Sequence, residues 1–350
     1  MSAAPLSRVH VGRALDTRPG GVWARTVEAL GSAHLAHAPE WFEVIRQAYG
    51  HDPLYLAASD DGGRAVLPAF VVRRPLLGPV VSSMPFLDGG GPASASASLG
   101  DALVARLVEE ARVLGARAVE LRTAARLGLP WTPLEHKVNL TRVLPADPDL
   151  LWRQLDGRVR NQVRKAERSG FATRLGGEEL LDAFYGVFAA RMHELGSPVH
   201  GRAFFAAVLQ AFAGRARVAV VLRGDRPAGG LIALSFKDTL TVPWAACRRE
   251  HAPECPNMQL YWEAIRTACR EGFRRFDFGR STRGSGTYRF KRQWGAEEQP
   301  LLWYTIPTAP RHSSPSTAPR HPALLAGSWR RLPLALTRRL GPRVRRYLTQ

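Results

Sequence analysis

Apolar and polar residues alternate through "YLAASDDGGRAVLPAFVVRR", with a break at Asp60-Asp61-Gly62-Gly63, and this predicts two strands joined by a turn. After "VVSSMPFLDGGG" the period changes: Leu103, Leu107, Ala111 and Leu114 recur at helical spacing in "DALVARLVEEARVLG". Gly115 follows, as a helix C-terminus favours, and "ARAVELR" reads as a further strand. The same order returns later. "VAVVLRGDRPAGGLIALSF" is a strand pair turning near Gly224-Asp225, and the chain continues through "TLTVPWAAC". The helix "NMQLYWEAIRTACREG" carries Leu260, Ala264, Ile265 and Ala268 on one face and closes at Gly272, before the strand "FRRFDFG". Between the copies, "DPDLLWRQLDGRVRNQVRKAERSGF" reads as one cation-rich helix, and "LLDAFYGVFAARMHELG" and "RAFFAAVLQAFAG" as two more. Two hairpin–helix–strand units predict an α+β chain of two related domains, with a site in the cleft between them.

The pattern ends after Tyr304. "IPTAPRHSSPSTAPRHPA" is a Pro/Ser linker by composition. Beyond it, Leu332, Leu336, Leu340, Val344 and Leu348 form one helical stripe opposite pairs of arginines, and Pro342 weakens a continuous helix. Such a tail suits either an anionic lipid surface or a docking face on the protein or a partner.

Charge sharpens this picture. The 350 residues carry a net charge of +19, almost wholly from arginine, since Lys137, Lys165, Lys237 and Lys291 are the only lysines. About half of the excess lies in the tail, where nine arginines follow from Arg311 with no acid. The expected partners are therefore anionic: phosphates, nucleic acid or a membrane surface. Apolar content of 45% is that of an ordinary soluble chain. Three cysteines argue against a disulfide framework. "MSAAPLSRVHVGRALDTRPGG" has no apolar core of a secretory signal, and no run approaches the ~18 apolar residues that span a bilayer. A cytoplasmic location is expected, peripheral on the inner membrane face if the tail binds lipid.

Two constellations carry candidate chemistry. Arg160, Arg164 and Arg168 stand at i, i+4 and i+8 beside Arg158 and Lys165, a ridge able to grip phosphates. Arg280, Arg283, Arg289, Lys291 and Arg292 are five cations in thirteen residues without an acid, interleaved with Tyr288 and Phe290 and followed by Trp294. The preceding "RSTRGSG" is a weak phosphate-loop pattern, and a plain strand-to-helix turn fits it better. Asp277-Phe278-Gly279 has no kinase catalytic loop before it. His193-Glu194 with His200 lacks the zinc-protease spacing, and Cys247, His251 and Cys255 are interrupted by Pro253 and Pro256, so no metal site is expected. No Ser/His/Asp order suggests an activated nucleophile.

"GTYRFKRQWGAE" resembles the signature closing the second domain of FemAB-type transferases, "VRNQVRKAERSGF" is similar to the basic helix opening that domain, and "MPFLDGGGP" to a turn of the first. "HELGSPVHGRAFF", the long segment from "NMQLYW" to "QWGAE", and "WRRLPLALTRRLGP" resemble the FemAB-related subgroup associated with exosortase/PEP-CTERM systems. The resemblance runs from about Trp41 onward. It implies two tandem GNAT-like (acyl-CoA N-acyltransferase) domains with mixed sheets flanked by helices, at 1–145 and 146–306, then the linker 307–322 and the basic tail 323–350. It also implies acyl or aminoacyl transfer to an amine on a phosphate-bearing, lipid-linked envelope or exopolysaccharide intermediate, in which positioning and oxyanion stabilisation replace a nucleophile. No bound cofactor is expected. The co-substrate is acyl-CoA or aminoacyl-tRNA, left open because the chain shows neither a coiled-coil hairpin nor the R/Q-x-x-G-x-G/A loop before "NMQLYW". By carry-over, Lys291 meets the substrate diphosphate or developing charge, and Arg160 and Lys165 belong to the basic helix. From local chemistry, Tyr288 joins Lys291 as a catalytic candidate, and Asp277 is the best candidate base, its alternative being a capping or Arg-paired carboxylate. Arg164, Arg280, Arg283, Arg292, Trp244 and Asn257 complete the expected substrate-facing set. The competing reading is a non-catalytic tRNA- or nucleic-acid-binding protein, or an envelope-assembly scaffold.

Overall fold

The computed structural model describes residues 10–13, 16, 18, 20–75, 77–309 and 323–349. Most of the Pro/Ser linker, residues 310–322, lies outside them. The chain forms two compact units. The first comprises Met1–Lys137, Pro300–Thr317 and Tyr347–Gln350, and the second Val138–Gln299 and Ala318–Arg346.

In chain order, the first stretch contains β1 (His10–Arg13), α1 (Val22–Ala29), α2 (Glu40–Tyr49), β2 (Asp52–Pro53), β3 (Leu56–Asp60), β4 (Gly63–Leu67), β5 (Phe70–Val72), β6 (Val80–Ser82), β7 (Ala93–Ser94), α3 (Ala97–Val113) and β8 (Ala118–Thr123). β1, β3, β4 and β7 make one sheet, and β2, β5, β6 and β8 line up in a second. The predicted turn at Asp60–Gly63 is a tight hairpin between β3 and β4. Leu103, Leu107 and Ala111 of α3 are fully buried against β3, β4 and β8, as their spacing predicts, with Leu302, Tyr304 and Ile306 closing the same core. Gly115 takes the left-handed φ of 65° that ends α3.

The chain continues through β9 (Leu134–Val143), α4 (Pro148–Gln154), α5 (Gly157–Arg168), β10 (Phe171–Gly176), α6 (Leu181–Glu194), α7 (Arg202–Ala211), β11 (Ala216–Arg223), β12 (Arg226–Phe236), β13 (Thr239–Cys247), α8 (Pro256–Arg270), β14 (Arg275–Thr282), α9 (Gly286–Arg292) and β15 (Glu297–Pro307). It ends in α10 (Ala323–Arg331) and α11 (Leu334–Arg345). The second unit's sheet runs β10-β11-β12-β13-β14-β9. Leu260, Ala264, Ile265 and Ala268 of α8 bury on it together with α5's Val159, Val163 and Ala166 and with Trp294.

Three differences from the sequence reading have local causes. The single basic helix is two, because Asp156 ends the first by capping the second through Arg158 N–H (2.7 Å). The unit boundary falls at Lys137/Val138 rather than after 145. Pro300–Pro307 belongs to the first unit because Leu302–Pro307 pairs antiparallel with β8. The tail is two helices separated at Leu332–Pro333, with Pro342 accommodated inside the second.

α11 docks on α6 through a face other than the leucine stripe. Thr337 and Gly341 are its buried residues. A Cβ at Gly341 would stand 3.0 Å from Val199 backbone and side-chain atoms, so a larger residue would push Val199 back by a few tenths of an ångström. Leu336 and Val344 of the stripe stay 39% and 37% exposed. Among the described residues no helix is long and apolar enough to cross a membrane.

Candidate functional site

The second unit contains a fork between parallel strands. β13 and β14 pair only over Thr239↔Arg275, Leu240↔Phe276 and Thr241↔Asp277. Both strands then continue, β13 to Cys247 alongside β12 and β14 to Thr282. The cause is legible in "TLTVPWAAC". The β12–β13 register slips between Leu234↔Thr241 and Ile232↔Trp244, the stretch that holds Pro243. Proline has no N–H for the ladder and favours a bulge.

Asp277 sits at the vertex. Its Oδ1 accepts the Gly279 N–H (2.8 Å) and the Asn139 Nδ2 amide (3.0 Å). These two donors orient the carboxylate. Asn139 lies on β9, and its own Oδ1 is buried with no hydrogen-bond partner. Ser281, further along β14, likewise keeps a buried Oγ without one. Two orphaned buried acceptors at one strand fork are uncommon in a finished core.

The cations after β14 take a different role from the one their density predicts. Gly284 (φ 74°) and Ser285 form a turn, and Ser285 Oγ caps α9 by accepting the Tyr288 N–H (3.2 Å). "RSTRGSG" is therefore a strand-to-helix connection. Lys291, 8% exposed, donates Nζ to the carbonyls of Gly279 (2.9 Å) and Arg280 (2.7 Å). Arg292 donates to Ala296 O (2.7 Å) and Arg289 to Gly284 O (2.6 Å). Lys291 thus fixes the outgoing arm of the fork, directly beyond Asp277.

Tyr288 and Arg283 converge on Glu298, which the sequence reading missed. The Tyr288 hydroxyl donates to Glu298 Oε1, and Arg283 Nε donates to Oε2 at 2.8 Å. The hydrogen bond to Glu298 is the main cause holding the Tyr288 phenol above its ordinary pKa, and Tyr288 followed by Arg283 keeps the Glu298 carboxyl below its own. Glu297 and Glu298 are the first acids after the cation run, and that position was the available signal.

Other expected residues are placed apart from this cluster. Trp244 is buried in an aromatic core with Phe204 (5.5 Å) and Phe205 (5.3 Å). Asn257 lies half-buried in the first turn of α8, and Arg280 is half-exposed on β14. On α5, Arg158, Asn161, Gln162, Lys165 and Arg168 line one open basin of about 650 Å³. Arg160 and Arg164 lie off it, and Arg164 packs its guanidinium over Trp152 at 5.6 Å. The i, i+4, i+8 ridge is thus replaced by Arg158, Lys165 and Arg168, because Val159, Val163 and Ala166 turn inward. Gln162 Oε1 in this basin is buried and lacks a hydrogen-bond partner. A second basin of about 490 Å³, near the Cys247 end of β13, is lined by Arg191, His193, Glu194, Leu195, Arg249 and Arg330.

Neither the half-buried Cys247 nor the buried Cys269 is a ready nucleophile. Burial pushes Cys247 up to about 12, with the nearby Arg191 pulling it down, and burial pushes Cys269 up to about 11. Both are thiols at neutral pH.

Residues 153–292 match the family model for the acetyltransferase (GNAT) domain, a span containing α5, the fork and α9. No curated protein matches the chain. Among solved structures it is similar to FemX, at a TM-score of 0.59 and 14% identity over 81% of this chain and 94% of that one. It is also similar to a tandem GNAT protein from the clavulanic acid biosynthesis pathway (TM-score 0.52, 10% identity, 87% and 100% coverage). A third likeness is to the C-terminal domain assigned to a lysylphosphatidylglycerol synthetase of Agrobacterium fabrum (0.51, 13%, 76% and 86%). At these identities the structures speak for the fold: the chain is a mixed α+β protein of GNAT-like fold and carries an acetyltransferase (GNAT) domain at residues 153–292.

Proposed function

We propose that the protein is an N-acyltransferase of FemAB type, moving an acyl or aminoacyl group to an amine on a phosphate-bearing, lipid-linked envelope or exopolysaccharide intermediate. The observation that carries this is the forked β13/β14 pair inside the GNAT domain, with an oriented carboxylate at its vertex and no activated thiol beside it. Such a site suits direct transfer. A neutral amine attacks the activated carbonyl, a tetrahedral oxyanion forms, and the leaving thiol or hydroxyl departs as the amine loses its proton. In this proposal Asp277 takes that proton. Lys291 acts on the reaction by fixing the carbonyls of Gly279 and Arg280, which set the line of the β14 arm.

The acceptor's phosphate is assigned to the α5 basin, which Arg158, Lys165 and Arg168 line. Exposed Leu336 and Val344 beside the tail arginines support contact with an anionic membrane face. The proposed setting is the cytoplasmic side of that membrane.

The test offers the purified protein acyl-CoA or charged tRNA with amine acceptors, with and without a phosphate. Expected is amine-dependent release of thiol or of deacylated tRNA. Replacing Arg158, Lys165 and Arg168 by Ala should raise KM for the phosphorylated acceptor at least about tenfold with kcat largely kept, the mark of lost ground-state binding. Absence of transfer from both donors across the acceptor panel, with tRNA binding retained, would replace this proposal by a nucleic-acid-binding role.

A further inference from the structure

The first unit holds a short segment of chain as a binding site holds a ligand. β6 runs parallel to β8 only over Val81↔Val119 and Ser82↔Glu120, and Ser83 N–H adds one more bond to Glu120 O (2.9 Å). The chain then arches away and returns at Gly91, whose N–H meets Arg122 O (2.8 Å). Within the arch Met84 and Phe86 have φ of 51° and 75°, a conformation that non-glycine residues adopt at a cost and that tends to mark functional sites.

The segment Tyr347–Thr349 is seated in this arch. Arg122, 3% exposed and stacked over Trp303 at 4.9 Å, donates Nη1 to Leu87 O (2.7 Å) and Nη2 to Thr349 O (2.5 Å). The Phe86 N–H reaches the same carbonyl at 3.2 Å. Thr349, also 3% exposed, donates its hydroxyl to Glu120, which Arg74 holds at 3.2 Å. Arg74 Nε takes the Tyr347 carbonyl at 3.1 Å. Two carbonyls at i and i+2 and one hydroxyl are each matched by a sheltered donor or acceptor, while Tyr347 and Leu348 are only half-buried. Recognition by main-chain carbonyls plus one side-chain slot is how proteins take extended peptides.

We propose that the arch 83–91 and strand β8 form a binding site for an extended peptide bearing a hydroxyl residue, and that Tyr347–Thr349 is its resident, displaceable ligand. Any peptide presenting carbonyl, spacer and hydroxyl in this register competes for Arg74, Glu120 and Arg122. The arch is the stretch seen in the sequence as "MPFLDGGGP".

The test uses the chain cut after Arg346 and a fluorescent peptide of sequence V-R-R-Y-L-T-Q, with a second probe carrying Val for Thr. The cut chain should bind the threonine probe saturably and about tenfold more tightly than either the valine probe or the intact chain's own uptake of it, the scale of one buried hydrogen-bonded hydroxyl. A folded cut chain that binds neither probe, or both equally, overturns the proposal. Should the cut chain fail to fold, Thr349→Val in the intact chain decides. Amide exchange at Phe86 should quicken about tenfold and slow again with excess threonine probe, and an unchanged exchange rate overturns it.

Discussion

At the scale of single residues, Lys291 shows how a cation can be taken up by the backbone. Its ammonium is sheltered and spans two successive carbonyls of the β14 arm. Lys291→Met keeps the apolar stem and removes the donor, leaving two acceptors short of a partner. A loss of about 1–3 kcal/mol is expected from chemical denaturation. Glu298 offers a sharper reading of its own neighbourhood. Because its hydrogen bond is what chiefly raises the Tyr288 phenol, Glu298→Gln should bring that phenol back toward its ordinary value of 10.0. The phenolate absorbance of each protein minus that of its Tyr288→Phe counterpart isolates this titration, and an unmoved midpoint would remove Glu298 as the cause. Lys291 was visible in the sequence as part of a motif, but its partners were not. Backbone carbonyls have no letter of their own, so "GTYRFKRQWG" gave no sign of the two peptide oxygens that Lys291 meets.

At the scale of elements, α11 depends on two histidines, His193 of α6 and His200 in the α6–α7 connection. Thr337 Oγ1 meets His193 Nδ1 at 3.2 Å, and Arg345 Nε donates to His200 Nε2 at 3.1 Å. Burial, then the Arg345 charge, holds His200 well below its usual 6.5. The folded chain therefore keeps this imidazole neutral, while the unfolded chain protonates it near 6.5. Stability is full above that pH and falls as pH drops through it, by up to about 1.4 kcal/mol per pH unit for one proton. Melting followed from pH 8 to 5 (roughly the range in which histidine titrates) should decline below 6.5, and His200→Asn should flatten part of that slope. Helical spacing made the cores of α3 and α8 readable to the residue. For α11 the leucine stripe left a lipid surface and a docking face both open, and the buried residues are Thr337 and Gly341. Glycine and threonine carry little hydrophobic signal, and what places them is close approach to Val199, a long-range fact.

At the scale of the whole molecule, the repeat was readable and its closure was not. Each copy of the hairpin–helix–strand plan announces itself by local period. The return of Pro300–Thr317 and Tyr347–Gln350 to the first unit rests on pairings with partners some 180 or more positions away, such as Ile306↔Val119 and Thr349 with Glu120. The fork followed from one proline inside an otherwise ordinary strand, a signal available in "TLTVPWAAC" but read there only as sequence. The net charge of +19 carries its own prediction. Binding of a phosphorylated acceptor in the open α5 basin should weaken severalfold between roughly 50 and 300 mM salt, as the screening length shortens. KM measured against ionic strength tests this, and the triple alanine variant of Arg158, Lys165 and Arg168 should show a much flatter dependence.

The scarcity of lysine gives the α5 basin a chemical reporter. Amine-directed reagents have four side-chain targets in this chain, Lys137, Lys165, Lys237 and Lys291. Lys237 is exposed and stands as the reference, while Lys291 is sheltered and occupied with two carbonyls. Lys165 is exposed within the basin. Mass-spectrometric footprinting should therefore find Lys165 and Lys237 modified early and Lys291 late. A compound that fills the basin should shield Lys165 while Lys237 continues to react, so acceptors can be screened by protection of one amine, with no assay of transfer.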